Sequence, residues 1–270
     1  MTFHSEPGNR TSAPLVSAKS ETGGREFTPR EAIDEKRFEV GFCEKHGYFA
    51  AGIKAPNAPS RWFSSGCPRC LAEAKIRKLF GQSMIPRRFE DKRFSNYEVS
   101  GDGQNSALES CRMFVEELKN DWLSGRTLVL TGTPGTGKTH LACAVGHEVM
   151  RMGRTVLFTT VTRLLEDIKA AWNEREHSVK NIIARYVSVD LLILDEIGAF
   201  RGISEREKDY LFEVINERYE GLKPMIAVSN LRLTGTDSLE AYLEERSFDR
   251  LCEQARLVIF DWESYRRRAK

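Results

Sequence analysis

Gly132-Thr133-Pro134-Gly135-Thr136-Gly137-Lys138-Thr139 is the stretch that decides how this chain is read. A loop that wraps a polyphosphate needs glycines so that successive backbone N–H groups can turn inward, with a helix N-terminus behind them. It also needs a lysine to reach the β- and γ-phosphates and a hydroxyl for Mg²⁺. Every part is present. Leu128-Val129-Leu130 precedes the loop as an apolar strand and His140-Leu141-Ala142 opens a helix behind it. That setting separates a phosphate loop from a flexible turn of matching sequence. The expected ligand is ATP, held by Gly132 through Thr139.

Outward from the loop, helical and strand periodicities alternate. Helices are expected over Leu108–Leu123, His140–Met150, Leu164–Trp172, Val179–Tyr186, Glu205–Tyr219 and Leu239–Cys252. Strands are expected over Thr127–Thr131, Thr155–Thr160, Asp190–Leu194, Met225–Ser229 and Leu257–Phe260. Continuously apolar strands between amphipathic helices imply an α/β fold with a parallel sheet covered on both faces. Leu191-Leu192-Ile193-Leu194 should be one of these buried strands, delivering Asp195 at its tip to hold Mg²⁺ and Glu196 to deprotonate an attacking water. Asn230 follows the strand Met225–Ser229. There it is equally a γ-phosphate or water ligand and an ordinary turn residue.

The first part of the chain differs in character. Residues 1–35 are rich in Ser, Thr, Gly, Pro and charge, and are expected to form a disordered tail because they have little apolar surface to offset ordering. Residues 36–80 hold Cys43-Glu-Lys-His46 and, after 20 intervening residues, Cys67-Pro-Arg-Cys70. Two pairs with two residues inside each let four donors converge from tight turns on one tetrahedral Zn²⁺. A site complete with four protein ligands is structural. The Tyr48, Phe49, Lys54, Arg61, Trp62 and Phe63 side chains between the pairs serve either as the module's small core or as a surface for DNA or protein. A short basic helix, Leu71–Leu79, closes the module. Residues 81–107 read as linker and lead-in, polar over Ser100–Ser106, and residues 108–270 as the ATPase domain.

Bulk properties exclude more than they assign. A net charge of +2 on 270 residues is no footprint of nucleic-acid binding. No apolar run approaches the roughly 20 residues of a membrane helix, and no secretory leader pattern opens the chain. A cytoplasmic protein with no membrane partner is expected, its cysteines thiols or metal ligands; Cys111, Cys143 and Cys252 suit buried helical positions.

With these residues in place, a resemblance emerges over roughly two-thirds of the chain. Phe94-Ser-Asn-Tyr97, the phosphate loop, Val189-Asp-Leu-Leu-Ile-Leu-Asp-Glu-Ile-Gly198, Arg246-Ser-Phe-Asp-Arg250 and Phe260-Asp-Trp-Glu-Ser-Tyr-Arg266 resemble the DnaC-type AAA+ helicase loaders, relatives of the DnaA initiators and the IstB-type transposition ATPases. The resemblance implies an AAA+ P-loop NTPase preceded here by a zinc-ribbon-like module, where the best-known loaders are helical. It makes Asn230 sensor 1, Arg266 sensor 2, and Arg250, ahead of Arg246, the arginine that reaches the ATP of a neighbouring subunit. It further implies an ATP-dependent homo-oligomer that loads a replicative DnaB-type helicase onto single-stranded DNA. The strand of DNA would lie along Thr162–Ile182, with Arg163, Lys169, Trp172, Arg175 and Lys180 as candidate contacts. Two alternatives stay open: a transposition-regulating ATPase on duplex DNA, and a zinc-bearing adaptor that uses ATP only as a conformational ligand.

Overall fold

The computed structural model describes residues 33, 37–54, 61–62, 66–172, 176–200 and 202–268. Apart from Ile33, the expected N-terminal tail lies outside them, as do Phe63 and Arg175. The chain divides into two compact units, one ending at Leu71 and the other beginning at Ala72.

In the first unit, β1 (Phe38–Cys43), β2 (Gly47–Ile53) and β3 (Arg61–Trp62) form an antiparallel sheet in that order. The β1–β2 turn is closed by the His46 N–H donating to the Cys43 carbonyl at 3.2 Å. Cys67 and Cys70 flank the start of helix α1 (Pro68–Gln82), so the second cysteine pair comes from a helix N-terminus.

In the second unit, β4 (Thr127–Gly132), β5 (Val156–Thr160), β6 (Leu191–Ile197), β7 (Met225–Ser229) and β8 (Ala255–Phe260) form a parallel sheet in the order β5-β6-β7-β4-β8. Alternate residues face opposite layers. Leu128, Leu130, Ile193, Ile226 and Val228 pack in one core with α2 (Asp102–Asn120) and α3 (Lys138–Arg151). Val129, Leu192, Leu194 and Ala227 pack in a second core with α4 (Val161–Ala171), α5 (Glu176–Ser188), α6 (Glu205–Glu220) and α7 (Leu239–Cys252). Burial on both faces is why these strands read as unbroken apolar runs. A short α8 (Tyr265–Arg268) ends the described chain. Cys111 and Cys143 are buried helical thiols as expected, while Cys252 is only partly buried.

Much of the segment read as linker and lead-in packs into the core. Ser83, Ile85, Gln104 and Ala107 are buried, Phe89, Phe94 and Tyr97 pack against the first core, and the Phe158 N–H of β5 donates to the Ser83 carbonyl at 2.7 Å. Helix α2 starts at Asp102, inside the stretch expected to be polar connection. The Gln104 side chain accepts the Ser100 N–H at 2.6 Å, and Asp102 sits favourably in the positive first turn. Those local bonds override the weak propensity of Gly103 and Asn105.

Arg218, in the last turn of α6, is 1% exposed, and its guanidinium donates to five backbone carbonyls: Tyr186, Val187, Val189, Asp190 and Pro224, at 2.7–3.1 Å. Burial lowers its pKa to about 9, against the pull of Asp190. These bonds tie the run into β6 to the run into β7. A buried cation held by several hydrogen bonds cannot be truncated cheaply, because its acceptors are left dry. Arg218→Met is expected to lower unfolding free energy by about 3–5 kcal/mol, measured by urea denaturation; a loss under about 1 kcal/mol would contradict the clamp.

Candidate functional site

The phosphate loop runs from the end of β4 into the first turn of α3, between the ends of β7 and β8. Its entry is tight: the Thr133 N–H donates to the Phe260 carbonyl at 2.8 Å, and a Cβ on Gly132 (φ +126°) would lie 2.1 Å from that oxygen. Only glycine fits there. The Lys138 Nζ folds back to donate to the carbonyls of Gly132 (2.8 Å) and Thr133 (2.6 Å). Burial lowers the ammonium's pKa to about 8; Asp195 opposes this and Arg266 adds to it.

Across the cleft, the Thr139 hydroxyl donates to Asp195 Oδ2 at 2.9 Å. A hydroxyl and a carboxylate converging this closely are hard oxygen donors of the kind Mg²⁺ takes beside a substrate phosphate. Burial pushes the Asp195 carboxyl up, while the Glu196 N–H and the Thr139 hydroxyl pull it down.

Strand β6 does not stop at Leu194, as its apolar run suggests, but continues to Ile197, with Asp195 buried inside it. Its pairing with β7 slips between Leu194 and Ile197, and Glu196 takes φ +59°. This bulge turns the exposed Glu196 side chain out toward the cleft and holds a non-glycine residue in the left-handed region. The end of β7 is fixed to the bulge by the Ser229 hydroxyl, which donates to the Ile197 carbonyl at 2.7 Å and accepts the Leu231 N–H at 3.0 Å. Asn230 follows directly.

A cleft of about 420 Å³ collects Pro134 to Thr139, Asp195, Glu196, Asn230 and Arg266. Arg250 is not among its lining residues; its guanidinium lies over the rings of Phe212 (4.8 Å) and Tyr219 (5.9 Å) on α6. Arg246 stacks on the same Phe212 ring and pairs with Asp209 at 2.7 Å. Of the candidate DNA contacts, Lys169 pairs with Glu207 at 2.6 Å, and Trp172 carries the Arg206 guanidinium 4.7 Å from its ring centre. The cleft also takes in Arg88, Tyr97, Gln104, His140 and Trp262, none of which has an assigned role in the sequence reading. They come from segments far apart in the chain, and no local spacing announces their convergence.

In the first unit, the sulfurs of Cys43, Cys67 and Cys70 and the His46 Nδ1 lie within 4.8 Å of one another. Cys43 Sγ lies 3.6 Å from Cys70 Sγ, and His46 Nδ1 lies 3.8, 3.5 and 3.3 Å from the sulfurs of Cys43, Cys67 and Cys70. Zinc–sulfur and zinc–nitrogen bonds at tetrahedral angles give donor separations of about 3.8 Å (sulfur–sulfur) and about 3.6 Å (sulfur–nitrogen). The donor set and its spacing therefore fit Zn²⁺, and no disulfide joins these thiols.

A five-stranded parallel sheet with the phosphate loop on an inner strand, and a carboxylate pair at the end of a strand one place removed, defines a P-loop NTPase of the AAA+ class. Among sequences, the profile of the IstB-like ATP binding protein family matches residues 82–270. The replicative helicase loader DnaC of Escherichia coli strain K12 is 32% identical over 195 residues, 72% of this chain and 77% of the loader. The crystal structure of the DnaC helicase loader matches with a TM-score of 0.57 at 25% identity, over 65% of this chain and 99% of that one. AMPPCP-bound DnaA from Aquifex aeolicus has the same fold, with a TM-score of 0.55 at 24% identity over 68% and 53% of the two chains. The chain belongs to the IstB-like family of AAA+ ATP-binding proteins.

Two measurements probe these sites. Because Lys138 titrates near 8 in the free protein, at pH 9 it is mostly neutral, and a polyphosphate that raises its pKa draws in a proton. ATP binding is expected to take up about one proton at pH 9 and about 0.1 at pH 7, read by calorimetry in buffers of different ionisation enthalpy and abolished in Lys138→Arg. For the cysteine cluster, elemental analysis of the purified protein is expected to find about one zinc per chain, falling to background in the Cys67→Ser, Cys70→Ser double variant with ATP binding retained.

Proposed function

We propose that this protein is an ATP-hydrolysing helicase loader, which engages a replicative DnaB-type ring helicase and delivers it to single-stranded DNA in the cytoplasm. The observation that carries this reading is the similarity to the loader DnaC over 195 residues, joined to a cleft whose side chains suit phosphoryl transfer.

In this reading Gly132 to Lys138 bind the phosphates, and Thr139 and Asp195 hold Mg²⁺, which neutralises charge on the β- and γ-phosphates when bound. Glu196 accepts a proton from the attacking water, from a position where the strand bulge leaves it open to solvent in the cleft. Asn230 orients that water or the γ-phosphate, and Arg266 places a cation beside it. Arg250 serves in trans. Its absence from the cleft of its own subunit and its display on the α6–α7 face suit a guanidinium that completes a neighbour's site, so ATP would drive homo-oligomer assembly and hydrolysis would release the helicase. The zinc cluster holds the N-terminal unit that meets the helicase.

Glu196→Gln is expected to retain ATP affinity and lose about 10²–10⁴-fold in turnover. Arg250→Ala should be inactive alone and regain part of its turnover when mixed with Lys138→Ala, since each supplies the half-site that the other lacks. The decisive experiment combines the Glu196→Gln protein, ATP and the cognate ring helicase in analytical ultracentrifugation. Failure to form a complex in any nucleotide state overturns the loader reading. Preferential binding of duplex over single-stranded DNA without a helicase complex would favour the transposition-regulator alternative suggested by the family's name.

A further inference from the structure

A phosphate loop binds anions with its N–H groups, so its carbonyls have to face the other way and find partners there. They do. The Gly132 and Thr133 carbonyls accept Lys138 Nζ, and Thr133 also accepts the Thr136 hydroxyl at 2.7 Å. The Gly135 carbonyl accepts the Tyr265 N–H at 2.9 Å, and the Gly137 carbonyl accepts the Leu141 N–H at 3.0 Å as the first bond of α3.

The Thr136 carbonyl is held differently. It accepts two side-chain donors from opposite ends of the unit: the Trp262 indole N–H at 3.0 Å, from just beyond β8, and the Tyr97 hydroxyl at 3.3 Å, from the segment ahead of α2. Both aromatic groups are themselves seated. Trp262 packs 4.8 Å from Phe260, centre to centre, and over the Cα of Gly103, where an added Cβ would come within 3.1 Å of the ring. Tyr97 meets His140 edge to face at 5.2 Å and lies over Gly137, where an added Cβ would come within 2.7 Å of its ring. Burial raises the Tyr97 pKa, so its hydroxyl stays a donor throughout the working pH range.

In a trans peptide the C=O and the following N–H point in opposite directions. Anchoring the Thr136 oxygen therefore aims the Gly137 N–H away from both aromatic rings. Gly137, at φ +101°, has no Cβ to limit rotation of that peptide, so the anchor has to come from elsewhere. Lys138 cannot provide it, because its ammonium leaves the loop carbonyls when it turns to a phosphate.

We propose that Tyr97 and Trp262 are positioning residues that jointly lock the Thr136–Gly137 peptide with its N–H facing the bound nucleotide's phosphates. This rests on the reading of residues 132–139 as the nucleotide site. A carbonyl with two lone pairs keeps one donor when the other is lost, so the two side chains back each other up and their losses should be more than additive.

The test measures ADP and ATP affinity by calorimetry on the full chain for Tyr97→Phe, Trp262→Phe and the double variant, each of which keeps an aromatic ring. Each single change is expected to weaken binding about twofold to threefold and the double change at least about twentyfold. KM should rise, and kcat should change by less than about threefold. Thermal unfolding without nucleotide reports whether the fold is intact. If the double variant does not fold, Trp262 is replaced by an isostere carrying sulfur in place of the indole N–H, in the Tyr97→Phe background. Double-variant affinity equal to the product of the single effects, or within twofold of the unmodified protein, overturns the proposal. Lys138→Ala separates the two levels. Retained nucleotide binding in that variant refutes the site itself, whereas lost binding there with unaffected binding in the aromatic variants refutes only the brace.

Discussion

The Arg218 clamp is the constraint on which the geometry of the cleft depends. Strands β6 and β7 are buried on both faces, so their apolar patterns cannot set their mutual register: a slip of one residue would exchange one buried side chain for another. Five carbonyl bonds from one guanidinium define which residue of the run into β6 stands beside Pro224, before β7, and so fix Leu192 opposite Met225. At the opposite ends of the same strands lie Glu196 and Asn230. A slip of one residue would move them by about 3.3 Å relative to each other, more than a hydrogen bond tolerates. A polar contact remote from the chemistry thus sets its dimensions.

Much of this was legible beforehand, because periodicity and glycine placement are local signals. The phosphate loop, the alternation of strands and helices, the paired Cys and His spacings and the carboxylates after Leu194 each lie within a few residues of sequence. What was not legible depends on contacts between distant segments. Nothing around Arg218 in Asn216-Glu217-Arg218-Tyr219 announces five carbonyls converging from the end of α5 and the runs into β6 and β7. The lead-in from Ser83 to Tyr97 carries no helical or strand pattern of its own, yet its aromatic residues pack on the core at one face of the sheet. There the aromatic residues are spaced irregularly, and irregular segments bury side chains without any period to betray them.

The bulge at Glu196 belongs to the same category. From sequence, four apolar residues followed by two acids describe a strand that ends; in the structure the strand continues and buckles. An even strand would send Asp195 and Glu196 to opposite faces. The distortion lets one carboxylate stay buried against Thr139 while the next lines the same cleft exposed to water. Two acids adjacent in sequence thereby acquire different environments: burial raises the pKa of Asp195, and Glu196 stays hydrated.

The seating of the phosphate loop against Phe260 has a consequence for the order of events as the chain is made. Strand β4 and its loop emerge from the ribosome early, but the neighbour that receives the Thr133 N–H is the last strand of the sheet, with Trp262 and Tyr265 following it. Until those residues arrive, the loop has its full sequence and only part of its shape. The shape of the nucleotide loop thus waits on β8, so a chain cut short before that strand has every motif residue of the loop without the partners that seat it.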